Sequence, residues 1–178
     1  MRLFYKQIDI SNNSRKLIGL LSLFFILFSS FSKSYNQDFT SWKYELEGIQ
    51  QGADGTYLLK VWVYSRTPEI DYDLAKKMAI HGVIFKGYSG RKGLSGQPPL
   101  TENLSLEEEK KSFFRVFFSN NGRYNEFVNL SAEQIGPGDR LKLGKREYKI
   151  GLVASVKKDA LRKYLENSGI IRRLSDGF

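Results

Sequence analysis

The stretch Arg146 to Lys157 alternates with a period of two. Tyr148, Ile150, Leu152, Ala154 and Val156 share one parity, as in a strand that lays one face on a core. A strand of that length needs hydrogen-bonding neighbours on its flanks, so the chain is committed to a sheet. Trp42 to Gln50 supplies one candidate, with Trp42, Tyr44 and Leu46 set against Lys43, Glu45 and Glu47. Thr56 to Ser65 is β-branched, aromatic and apolar on both parities, which suits a central position. Gly52, Asp54 and Gly55 lie between these two, and Asp54-Gly55 offers the positive φ angles of a tight hairpin turn. Arg140 to Leu143, followed by the turn Gly144-Lys145, precedes the long strand, and Tyr124 to Leu130 reads as another.

Helical spacing fills the gaps. Pro68 stops the second strand, and Asp71 to Lys86 places Leu74, Ala75, Met78, Ala79, Gly82, Val83 and Phe85 on one broad face, with small residues that allow close approach to a sheet. Ser105 and Glu108 form a capping box before a second helix whose stripe is Leu106, Phe113, Phe114, Phe117 and Phe118, closed by Asn121-Gly122. A hairpin from Phe114 to Leu130 about the same Asn-Gly pair is the alternative; the Glu-Lys run in front favours helix. A last helix spans Lys158 to Asn167, capped near Asp159 and stopped at Gly169. The order β-β-α-loop-α-β-β-β-α indicates an α+β two-layer sandwich, a mostly antiparallel sheet with about three helices on one face.

Residues 1–36 read differently from residues 37–178, which form the single α+β domain. Arg2, Lys6, Arg15 and Lys16 precede the apolar run Leu17 to Phe28, and Ser29, Ser30, Ser32 and Ser34 follow. This is the layout of a secretory signal peptide, with Gln37 as the expected mature N-terminus. The run is about 18 Å long as a helix, short of the roughly 30 Å hydrocarbon core, so no permanent membrane span is expected.

The 178 residues carry 28 Lys+Arg and 19 Asp+Glu; without residues 1–36 the counts are 23 and 18, a net charge of +5. That surplus is diffuse, and nucleic acid is not an expected partner. The chain has no cysteine and only His81, which excludes disulfides, thiolate metal cages, thiol nucleophiles and histidine-rich metal sites.

No motif names a reaction, so no catalytic, cofactor-binding or metal residue is expected. Gly87, Gly90, Gly93 and Gly96 recur with Lys86, Arg91 and Lys92 among them, but the segment follows a helix and lacks the Gly-Lys-Ser/Thr of a phosphate loop. Gly93-Leu94-Ser95-Gly96-Gln97-Pro98 has Leu94 where a serine protease carries aspartate, and His81 has no carboxylate at i±3 or i±4. His81 is expected at the helix edge. Glu69, Asp71 and Asp73 read as charges at a helix start, and Glu45 and Glu47 as a solvated strand face. The Gly/Pro-rich stretch 87–103 reads as a loop, mobile and exposed from Gly87 to Pro99. Its residues Tyr88, Arg91, Lys92 and Leu94, together with Arg172 and Arg173 of the basic tail, are the candidate partner-binding residues.

The strand Val61-Trp62-Val63-Tyr64-Ser65, the helix from Ala75 to Gly87 and the closing Gly169-Ile170-Ile171, behind a Phe- and Ser-rich leader, resemble an uncharacterised family of exported Bacteroidota proteins. The likeness covers nearly all of 37–178. It implies an envelope location in a Gram-negative cell and supplies no catalytic residue. In topology the chain is also similar to small α+β domains of envelope lipoproteins and flagellar assembly factors, although it lacks the lipobox cysteine. These readings lead to an exported, periplasmic or envelope-attached, non-enzymatic protein. It would act through contact with an envelope protein, as an accessory of a secretion or surface assembly system. The alternative is a periplasmic small-ligand binder or hydrolase with the 87–99 loop as a lid over His81 or Glu69. An inner-membrane protein that keeps its N-terminal helix is a third possibility.

Overall fold

In the computed structural model, residues 42–91, 93–131 and 136–177 are described. Their order is β1 (Tyr44–Gln51), β2 (Thr56–Ser65), α1 (Tyr72–Phe85), α2 (Leu106–Glu109), α3 (Lys111–Phe117), β3 (Val128–Ser131), β4 (Arg140–Gly144), β5 (Glu147–Lys157) and α4 (Lys158–Asn167). Short 3-10 turns occupy Arg123–Phe127, Pro137–Asp139 and Leu174–Gly177. The expected signal segment and Lys92 lie outside the described residues.

Asp54 (φ 53°) and Gly55 (φ 66°) hold the centre of the turn that Thr56 N closes on the Ala53 carbonyl at 3.0 Å. Two successive positive φ angles give the turn whose twist matches a hairpin, and β1 and β2 pair antiparallel with Leu46 opposite Val61. β2 then pairs along its whole length with β5, from Thr56 opposite Lys157 to Ser65 opposite Tyr148. β3 and β4 both lie on the other flank of β5, against Val153–Val156 and Glu147–Ile150 respectively. They act as one edge strand with a long interruption between Ser131 and Arg140. The sheet order is β1-β2-β5-β3, with β4 also on β5, an antiparallel sheet in an α+β fold.

One parity of each strand faces the helices: Tyr44 and Leu46, Leu59 and Val61, Ile150, Leu152, Ala154 and Val156, all buried. Helix α1 starts on Asp71, whose Oδ1 accepts the Leu74 amide at 2.9 Å. It lies close to β1 because Gly82 has no side chain; a Cβ there would fall 2.3 Å from Leu46 Cδ1. Phe114, Phe117, Phe118 and Tyr124 are buried behind it, and Phe117 stacks on Phe113 (5.7 Å between centroids) and on Tyr164 of α4 (5.8 Å). The aromatic stripe expected of the second helix is therefore core.

On the sheet's outer face Trp62 lies over Gly151, with Lys60 Nζ 5.4 Å and Lys149 Nζ 5.2 Å from its ring. Those lysines are ion-paired in turn, Lys60 with Asp139 at 2.5 Å and Lys149 with Glu45 at 2.8 Å.

Four local expectations need correction. The second helix is two pieces that break at Lys110, and Ser105 makes no side-chain cap; Glu108 turns to Lys111 (2.9 Å) while Asn103 Oδ1 takes the Ser105 amide (2.9 Å). Tyr124 to Phe127 is a 3-10 turn rather than strand, because Tyr124 turns inward to bond Asp73. The last helix begins after Lys157 with no side-chain cap, and Asp159 sits in its first turn. Finally, the described residues of 87–99 form bridges and backbone bonds rather than a free loop. The C-terminal end of α4 behaves as expected: Gly169 adopts φ 65° and stops the helix, with Ile170 N bonded to the Leu165 carbonyl at 2.9 Å.

Candidate functional site

Three elements bring polar side chains together beneath the start of β1. Tyr44 points toward the helices from β1, His81 faces it from α1, and Glu107 reaches in from α2. The Tyr44 hydroxyl lies 2.5 Å from His81 Nδ1, and Nε2 of the same ring lies 3.0 Å from Glu107 Oε1. A carboxylate only accepts, so Nε2 carries the proton given to Glu107, and Nδ1 is the ring atom that faces the Tyr44 hydroxyl. Burial, reinforced by the Glu107 charge, pushes the Tyr44 phenol far above its ordinary range and keeps it a donor.

His81 is 4% exposed, which corrects the expectation of a histidine at the helix edge; no carboxylate stands at i±3 or i±4, and the one that meets the ring comes from another helix. The partner lies 26 residues away in sequence, where helical spacing gives no hint of it. Trp42, Phe85 and Phe118 surround the ring at 5.5, 4.8 and 6.2 Å. A recess of about 200 Å³, lined by Trp42, His81, Phe85, Lys86, Asn103, Leu104 and Glu107, opens beside it. Lys86 Nζ stands 3.9 Å from the Tyr44 ring centroid, and burial lowers its ammonium below the usual lysine range against the opposing pull of Glu107. The arrangement can pass a proton along tyrosine, histidine and glutamate, or offer a mixed polar and aromatic lining to a small molecule.

The glycine-rich segment folds into a small hairpin, with bridges Tyr88–Gln97 and Arg91–Leu94. It docks on the free edge of β1: Gly48 N donates to the Ser89 carbonyl (2.8 Å), and Ser89 N donates to the Leu46 carbonyl (3.2 Å). Glycine is required where backbones meet. Gly87 has φ 71°, and a Cβ there would fall 2.3 Å from the Gln97 carbonyl oxygen. Turn signals alone showed a loop; the edge it fills is visible only once the sheet is assembled.

The partner-binding candidates therefore separate. Tyr88 is 6% exposed and packs into the core against Tyr57, so its ring is turned away from the hairpin tip. Arg91 stays exposed at the tip, with Nε 3.5 Å from Glu47 Oε1, and Leu94 is half-buried beside Gly48. Arg172 and Arg173 are exposed on the C-terminal tail. Glu69 lines another recess, of about 260 Å³, with Asp71, Leu74, Ile150 and Leu152; it does not share the His81 recess.

Asp73, Glu45 and Glu47 have structural partners. Asp73 takes Lys77 at 2.8 Å and the Tyr124 hydroxyl. Glu45 takes the Tyr64 hydroxyl at 2.5 Å besides Lys149, and Glu47 takes Trp62 Nε1 at 3.4 Å. Among the described residues no cluster of three or more His, Asp or Glu is spaced to hold a metal ion, and no helix is long and apolar enough to cross a membrane. No family model matches the chain, nor does any curated protein or solved structure.

Proposed function

We propose that this chain is an exported, non-enzymatic cell-envelope protein that works by contacting another protein, as an accessory of a secretion or surface assembly system. The observation that carries the contact is the hairpin 87–97. It is joined to β1 by backbone bonds at Ser89 and carries the exposed Arg91 away from that junction. A pre-ordered charged tip binds without the entropic cost of ordering a mobile loop. The basic leader and apolar run of 1–36 support export.

The test is a photo-crosslinking residue in place of Leu94 in the producing cell. One defined adduct should form and disappear in an Arg91→Glu variant that melts at the parent temperature. An adduct indifferent to Arg91 would count against the tip as the contact. Mass spectrometry of the cellular protein should find the N-terminus at Gln37; Met1 would overturn export with cleavage. A small-ligand reading has one observation in its favour, the Tyr44–His81–Glu107 chain beside its recess. A ligand that shifts the resonances of His81 would favour it.

A further inference from the structure

The two edges of the sheet are treated oppositely. The β1 edge is occupied by the chain's own hairpin at Ser89, whereas β4, among the described residues, pairs only with β5. All of β4 but Gly144 is exposed. Its register puts Leu141 opposite Lys149, on the outer face, and Arg140 and Lys142 opposite Ile150 and Tyr148, on the helix-bearing face. Leu141 is 41% and Leu143 51% exposed. Arg140, Lys142, Lys145 and Arg146 make the edge and its turn strongly basic. The acid before them, Asp139, is bound to Lys60, and Glu147, opposite Gly144, is the carboxylate at the turn itself.

We propose that the β4 edge is a docking site for an extended acidic segment of a partner protein, which adds to the sheet as a further strand. Main-chain bonds to the free edge would supply affinity, and the pleat would supply the code. Cross-strand neighbours share a face, so the segment that fits sets an apolar residue beside Leu141 between acidic residues beside Arg140 and Lys142; Leu143 lies in the irregular step between Lys142 and Gly144. A second copy of this chain fits poorly, because strand-to-strand pairing would bring the two sets of cations together. The hairpin tip comes near the start of this edge, since the Arg91 charge helps to hold the Asp139 carboxyl low, but the inference rests on the β4 strand itself and not on a contact made by the tip.

The probe is a synthetic peptide of about eight residues alternating valine and glutamate, added to the isotope-labelled 178-residue chain. The expected result is amide shifts confined to residues 140–150, lost with a peptide N-methylated at alternate positions and weakened about tenfold in an Arg140→Glu/Lys142→Glu variant. Binding should weaken with salt, and Arg91→Glu should lower it far less than Arg140→Glu/Lys142→Glu does. The inference is overturned if no shifts occur at millimolar peptide, which would make the basic residues a guard against pairing. Equal binding of a valine-lysine or an N-methylated peptide, shifts centred on 88–97, or concentration-dependent self-association through β4 would overturn it as well. The Arg91→Glu arm separates failure here from failure of the hairpin contact.

Discussion

Nε2 of His81 on α1 donates to the carboxylate of Glu107 on α2 at 3.0 Å, and that bond fixes which nitrogen of the buried ring faces Tyr44. The interaction joins helix, helix and strand through a single imidazole. Tyr44→Phe should remove the buried bond to Nδ1 and cost about 1–3 kcal/mol in denaturant unfolding. Paired with Glu107→Gln, the two losses should not add, since both act on the same ring. Additivity would show that the three groups are independent.

Acid should destabilise the fold through a small set of carboxylates. Glu45 is held below the usual carboxylate range by hydrogen bonds from Lys149 and Tyr64. For Asp73 and Asp139, partial burial alone would raise the carboxyl, but it is outweighed by Lys77 and Tyr124 in the first case and by Lys60 and the Gly136 amide in the second. A depressed folded-state value means the contribution is present above the unfolded-state value and is lost as pH falls through the folded one. Thermal unfolding followed by circular dichroism should therefore show a falling midpoint as pH drops through and below the ordinary carboxylate range. Asp73→Asn should flatten that slope.

Core and surface on α3 should separate cleanly. Phe114 is fully buried and touches the rings of Phe85, Phe113, Phe117 and Phe118. Phe114→Ala should cost about 3–5 kcal/mol. Val116, two residues on and 69% exposed, should tolerate alanine within about 0.5 kcal/mol. Urea titrations compare the two directly.

Two glycines of the hairpin differ in what surrounds them. Gly93 has φ 82° and open space about it, so alanine there should cost about 1 kcal/mol of backbone strain. Gly87 combines φ 71° with the Gln97 carbonyl in the way, and Gly87→Ala should cost more and release the hairpin. Hydrogen exchange at the Gly48 and Ser89 amides should rise in the Gly87 variant and stay near the parent value in the Gly93 one.

Periodicity and turn chemistry made most of the fold legible. Alternation in β5, the Asp54-Gly55 turn, the spacing on α1 and the glycine stop after α4 are local signals, and each has its expected structural counterpart. What stayed hidden were contacts made at a distance. Nothing near His81 in sequence announces Glu107, and nothing in the glycine run announces an empty strand edge at Gly48. Ser105 and Glu108 match a capping pattern, yet Asn103 and Lys111 compete for the same groups and win. Tyr124 looks like a strand residue until Asp73 draws its hydroxyl inward.

The strand at the centre of the sheet is the last one made. β2 finds its long partner only when the polypeptide has been completed past Lys157, and β3 and β4 both wait for the same template. A nascent chain halted before Glu147 would possess the β1–β2 hairpin with α1 against it, but neither the long partner of β2 nor the template for β3 and β4. The sheet thus closes around a strand that comes after its partners in the chain, so its pairings are non-local and slow to form.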